Sequence, residues 1–172
     1  MIEMKVMGIA LDTRTGSPIV VLHDKENRRA LPIWIGSAEA SSIIRKIENL
    51  GVARPMTHDL IISIIDKAGY KLTKIEINDV EKDTYYATMF LENDEGKIIE
   101  IDSRPSDAIA VAIRVEAPIF VTSNVLASGS VSTDSAKDEQ EAQEFKSFIQ
   151  DIKPSDFAKL LKENDQHHES DQ

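Results

Sequence analysis

Asp102-Ser103-Arg104-Pro105-Ser106-Asp107-Ala108-Ile109-Ala110-Val111-Ala112-Ile113-Arg114 joins the end of an alternating segment to a helix that is apolar on nearly every side. Pro105 pre-sets the backbone for a first helical turn, and the run from Ala108 to Ile113 predicts burial on most faces. Arg104, Asp107, Val111 and Arg114 fall at helical spacing, so three charges share one stripe of a buried rod. Charge taken out of water is costly unless it is paired. The stripe is therefore either an ion-pair ladder, within or between subunits, or a site that holds a ligand. Asp102, at the end of the preceding strand, adds a second carboxylate near Asp107. Two such groups can hold Mg²⁺ or Mn²⁺, which polarises a phosphodiester and activates water.

Working outward, Lys71 to Glu92 and Lys97 to Asp102 alternate with a period of two, with Tyr85, Ala87, Met89 and Leu91 on one face and Asn93-Asp94-Glu95-Gly96 as the turn. Tyr85 and Tyr86 point to opposite faces, so at most one joins the core. Near the N-terminus, Val6 to Leu11 and Pro18 to Leu22 predict a hairpin across Thr13-Arg14-Thr15-Gly16-Ser17. A third strand follows at Ala30 to Ile35, where Pro32 implies an edge or a bulge. Ala40, Ile43, Ile44, Ile47 and Leu50 keep helical spacing up to Gly51, and Ile61, Ile64, Ile65 and Ala68 do so up to Gly69. Pro118 to Val121 reads as a further strand. Phe145, Phe148, Ile149 and Ile152, then Phe157, Leu160 and Leu161, predict two C-terminal amphipathic helices that cover an open sheet face. The fold class is α+β, with mixed or antiparallel β meanders packed with helices. The expected organisation is a domain over 1–125, a polar acidic loop over 126–137, a helical segment over 138–164 packing on the domain, and a disordered tail over 165–172.

Composition narrows function. The 172 residues suffice for one domain with a full core. The absence of cysteine removes disulfides, thiolate catalysis and cysteine-ligated metals. No apolar run is long enough to span a membrane and no signal-peptide pattern opens the chain, so a cytoplasmic location is expected. A net charge of -10 argues against tight non-specific binding to a polyanion, and any nucleic-acid contact must use a local site.

Two segments are built alike: Arg54-Pro55-Met56-Thr57-His58-Asp59 and Arg104-Pro105-Ser106-Asp107. Each couples Arg-Pro to a helix start, where Thr or Ser can cap free amides and an early Asp complements the helix dipole. The same residues can hold a phosphate against a helix N-terminus. With Leu31-Pro32-Ile33-Trp34-Ile35-Gly36 followed by Glu39-Ala40, these two segments, extended to Leu60 and from Asp102 to Ala110, resemble the three ordered signature blocks of the bifunctional nuclease domain family. The resemblance covers roughly Ile2 to Val125. It implies a compact α+β domain, an assembly of several identical subunits, and hydrolysis of phosphodiester bonds in RNA and DNA.

Other candidates read more plainly. His167 and His168 are solvated tail residues, Glu95-Gly96-Lys97 is a hairpin tip, and Trp34 is expected in the core or an interface. Two functional readings stay open. In the first, a nuclease uses Asp102 and Asp107 to hold Mg²⁺ or Mn²⁺, Arg54, Arg104 and Arg114 to hold phosphates, and His58 or Asp59 to manage the proton. In the second, a non-enzymatic homo-oligomer uses those charges as ion pairs that fix subunit register and binds a protein partner through its acidic C-terminal region.

Overall fold

The computed structural model describes residues 1–133 and 139–151. The expected second C-terminal helix (Phe157 to Leu161) and the polar tail lie outside the described residues.

The first meander runs through β1 (Ile2–Asp12), β2 (Pro18–Asp24) and β3 (Arg29–Trp34), and is followed by α1 (Ser37–Ile47) and α2 (Thr57–Lys67). The second meander is β4 (Tyr70–Glu81), β5 (Thr84–Asn93) and β6 (Ile98–Ser103), which leads into α3 (Pro105–Val115). β7 (Ile119–Val121), α4 (Ser123–Gly129), β8 (Val131–Ser132), α5 (Glu139–Phe148) and β9 (Ile149–Asp151) complete the described chain. One mixed sheet results, ordered β6-β5-β4-β7-β1-β2-β3-β8, with β9 beside the far half of β1. The β4–β7 pair is parallel and every other pair antiparallel. The expected α+β class of meanders packed with helices is what the chain adopts.

β2 shows why its sequence is continuously apolar. Val20 and Leu22 face the helical layer with Ile43, Ile44, Ile109 and Val111, whereas Ile19 and Val21 face Phe145 of α5 with Ala10 and Ala30. A strand buried on both faces cannot alternate apolar with polar residues. β4 to β6 are covered on one face only, and their alternation follows from that. Ala87, Met89 and Leu91 are buried and Tyr85 packs against them, while Tyr86 is exposed. Pro32 sits where the outer edge of β3 has no strand partner, because β8 pairs only with Arg29 and Ala30.

Several boundaries differ from the sequence reading. The first helix ends at Ile47 and turns at Asn49, whose φ is 51°. Leu50 is consequently exposed outside it, and Gly51 is not its terminator. Asparagine, like glycine, tolerates the left-handed conformation. Gly69 does end the second helix, with φ 81°. Part of the expected polar loop is α4, because Val125 and Leu126 bury themselves against the core. Ile149 leaves its expected helix to pair, in β9, with β1. Trp34, expected in the core or an interface, is 45% exposed and so lies outside the core.

Candidate active site

Three helices meet on one face of the sheet, and the charged stripe of α3 lies at their junction. Arg104 is the N-cap of α3, and Pro105 opens the helix as expected. Arg104 Nε donates to Asp107 Oδ2 at 2.7 Å, and its Nη2 donates to Glu39 Oε1 of α1 at 2.8 Å. Asp107 Oδ1 accepts from His58 Nε2 of α2 at 2.9 Å, and His58 Nδ1 lies 2.6 Å from Ser42 Oγ of α1. Ser42 Oγ in turn accepts from Arg114 Nη2 at 2.9 Å, while Arg114 Nε donates to Asp59 Oδ1 at 3.0 Å. One unbroken chain of hydrogen bonds therefore links Glu39, Arg104, Asp107, His58, Ser42, Arg114 and Asp59 across all three helices.

The donors fix the tautomer. A carboxylate only accepts, so the His58 proton is on Nε2, facing Asp107. In the neutral ring Nδ1 then accepts from the Ser42 hydroxyl, whose oxygen accepts from Arg114. Burial raises the Asp107 pKa, but the bonds from Arg104 and His58 more than offset it and hold the carboxyl below its ordinary value. Asp59 behaves likewise: burial pushes it up, and the Met56 amide and the Arg114 guanidinium bring it down further. Arg104 is raised, by its bonds to Asp107 first and Glu39 second.

The expected site residues divide into three groups. The structure brings together His58, Asp59, Asp107, Arg104 and Arg114. Arg114 makes four hydrogen bonds, including the carbonyls of Ala110 and Ser42, and its side chain is 9% exposed. With its donors so engaged, it serves as a tie between helices and has little left for a phosphate. Arg54 stands apart, exposed and without a hydrogen bond among the described residues. Asp102 is also apart. It opposes Thr88, and the neighbouring Ser103 opposes the buried Ala87. Adjacent strand residues point to opposite faces, which puts Asp102 on the outer face of the sheet, away from the helices that hold Asp107.

This arrangement does not fit a metal shared by Asp102 and Asp107. Both Asp107 oxygens meet N–H donors, one of them on a guanidinium cation, and Asp102 has no hydrogen bond or ion pair among the described residues. No group of three or more His, Asp or Glu among the described residues could hold a metal ion. The order carboxylate, imidazole, hydroxyl is that of a nucleophilic triad. Here, however, Ser42 is only 7% exposed and carries a donor from Arg114, and His58 is 6% exposed with both nitrogens engaged. As placed, His58 orients Asp107 and, through it, Arg104.

The open part of the site is at Arg104. Its side chain is 66% exposed and opens on a cleft of about 410 Å³ lined by Trp34, Gly36, Asp83, Tyr85, Pro105 and Ser106, among others. Trp34 Nε1 donates to Asp12 Oδ2 at 3.0 Å, which fixes the ring. Asp12 is held at a pKa of about 2, chiefly by the Arg14 amide against the cost of burial, with further help from Trp34 and the Arg14 side chain. Neither Thr57 nor Ser106 caps its helix as expected. The N-caps are Met56 and Arg104, neither with a side-chain cap bond, and Asp59 Oδ2 instead accepts the Met56 amide at 2.9 Å.

Sequence reasoning missed Ser42, gave Glu39 no role of its own and read Ser106 only as a helix cap. The trace of Ser42 was a small polar residue inside the apolar stripe Ala40, Ile43, Ile44. Such a residue is buried at a profit only if it is bonded.

No helix among the described residues is long and apolar enough to cross a membrane. Residues 20–134 match the family model described as the bifunctional nuclease domain. An uncharacterized protein of Mycobacterium tuberculosis is 34% identical over 163 residues, covering 90% of this chain and 97% of that protein. Bifunctional nuclease 2 of Oryza sativa subsp. japonica is 34% identical over 107 residues, covering 60% of this chain and 33% of the rice protein. Bifunctional nuclease 2 of Arabidopsis thaliana is 28% identical over 107 residues, covering 61% and 32% respectively. The three signature segments thus lie within a match that spans most of the chain, and the chain belongs to the bifunctional nuclease domain family.

Proposed function

We propose that this protein is a cytoplasmic nuclease that hydrolyses phosphodiester bonds in RNA or DNA, with Arg104 as the group that holds the scissile or neighbouring phosphate. The observation that carries this reading is the state of Arg104. It is the one arginine of the linked cluster that is solvent-exposed, and two carboxylates orient it. A guanidinium has five N–H donors; Glu39 and Asp107 take two, leaving three for a phosphate at the cleft. His58 is a positioning residue that acts through Asp107, and Arg114 with Asp59 ties the helices that frame the cleft. The family membership and the names of the plant relatives support the reaction class.

The test is cleavage of end-labelled RNA and DNA by purified protein with Mg²⁺, Mn²⁺ or chelator, beside folded Arg104→Ala. Cleavage reduced at least about tenfold by the substitution, the scale of one charge-assisted hydrogen bond, is the expected result. The metal and chelator arms also test directly the expectation that Asp102 and Asp107 hold an ion. No cleavage by the wild type under any condition would remove the reading.

A second reading has its own support. Leu60 and Ile64 on α2 are 54% and 59% exposed, one turn apart on the same helix face. A homo-oligomeric binding module would cover such a face. Sedimentation equilibrium of wild type and Leu60→Glu/Ile64→Glu distinguishes it: a single mass for both proteins counts against assembly through α2.

A further inference from the structure

The cleft beside Arg104 contains two features that folding alone leaves unused. Ser106 is only 6% exposed, lies on the cleft wall, and has no hydrogen bond among the described residues. Its hydroxyl is not sealed in: among the described residues the buried side-chain polar atom left without a partner is Arg45 Nε, so Ser106 Oγ keeps access to the cleft and can bond what enters it. Trp34, the chain's one tryptophan, is its opposite: a large aromatic ring left 45% exposed on the same cleft. Its orientation is nevertheless fixed, by the bond to Asp12 and by Phe148, whose ring lies 5.5 Å away. An exposed ring held still is a stacking surface.

We infer that this cleft is a subsite for one nucleotide unit of a polynucleotide chain, with its phosphate on Arg104 and Ser106 Oγ and its base stacked on Trp34. The inference rests on the nuclease reading for its ligand class and names the residues that would bind. Local charge refines the choice of phosphate. Asp83 lines the same cleft, and Arg104 already faces Glu39 and Asp107. Further negative charge is therefore disfavoured in proportion to its amount, and an internal phosphodiester, with one charge, suits the site better than a doubly charged terminal phosphate. The subsite reads the base by its ring face, so it accepts any base and prefers the larger rings.

The test is titration of the full chain with the dinucleoside monophosphate d(ApA), read by the emission of Trp34, beside 5′-AMP and the base-free diester dimethyl phosphate. Saturable quenching by d(ApA), weaker binding of 5′-AMP and no quenching by dimethyl phosphate are expected. Ser106→Ala weakens d(ApA) roughly tenfold without lowering the urea midpoint, because the hydroxyl has no hydrogen-bond partner among the described residues. Trp34→Ala, read by calorimetry, weakens it by a similar factor. Absence of quenching, or quenching that Ser106→Ala and Arg104→Ala leave unchanged, overturns the subsite. Quenching without cleavage of any substrate keeps the subsite and removes the nuclease reading. Cleavage without quenching removes the subsite alone.

Discussion

Replacing Arg114 by methionine keeps the apolar stem and removes the guanidinium. It thereby isolates what the charged tie contributes to holding three helices together. The side chain is 9% exposed and makes four hydrogen bonds, one of them to the Asp59 carboxylate, itself 31% exposed. Truncating one member of a buried ion pair costs about 3–5 kcal/mol when the other is left buried and unpaired. Asp59 retains some water and the Met56 amide, which lowers the expected loss to about 2–4 kcal/mol. In a chain of this length the loss corresponds to a melting temperature lower by roughly 5–15 °C. Urea denaturation followed by circular dichroism measures it. The double variant with Asp59→Asn should be less destabilised than the sum of the singles, because the second change removes the stranded charge. A loss under about 1 kcal/mol, the range of surface pairs, with strict additivity, would show that the cluster is a set of independent contacts and refute the linked chain.

Other outcomes follow from the same geometry. Ser42→Ala strands His58 Nδ1 and one Arg114 donor, and should cost about 1–3 kcal/mol by chemical denaturation; Ser41→Ala serves as the neighbouring control. Asp12, Asp59 and Asp107 have carboxyl pKa values lower in the fold than the ordinary 3.8, Asp12 at about 2. The unfolded chain therefore binds protons first as pH falls. Their stabilisation is complete above the ordinary carboxyl pKa and is lost progressively toward pH 2. Denaturation midpoints between pH 5 and 2 should decline, and Asp12→Asn should flatten that decline. Gly69→Ala places a side chain at φ 81° with open space around it, so the cost is backbone strain alone, about 1 kcal/mol by thermal denaturation.

The sequence revealed those parts of the molecule in which periodicity and burial agree. The second meander was readable because one face of β4 to β6 is open, and α3 because a helix apolar all round has to be enclosed. The spacing of Arg104, Asp107 and Arg114 left open an ion-pair ladder or a ligand site; in the fold each has an oppositely charged partner, Arg104 from an exposed position. What the stripe could not announce was its partners. Glu39, Ser42 and His58 come from two other helices, and their convergence depends on how those helices cross. Asp102 shows a related limit. Three residues from Pro105 in the chain, it nevertheless points the other way, because the pleat of β6 decides its side and sequence distance does not. Of the two places expected for Trp34, core or interface, the core is ruled out, because it stands exposed where β3 ends.

β7 bears a burden out of proportion to its length. Three residues, Ile119 to Val121, pair with Ile2 to Met4 on one side and with Ile75 to Ile77 on the other, and through them two meanders become a single sheet. On the ribosome the first meander can zip up locally as it emerges, but Ile2 and Glu3 at the start of β1 must wait for the chain to reach residue 121. The two closing contacts therefore form only after both meanders have emerged, at the entropic cost of long loops. In native-state hydrogen exchange the amides of β7 and the first residues of β1 should open together, as one unit, ahead of the β4–β5 ladder.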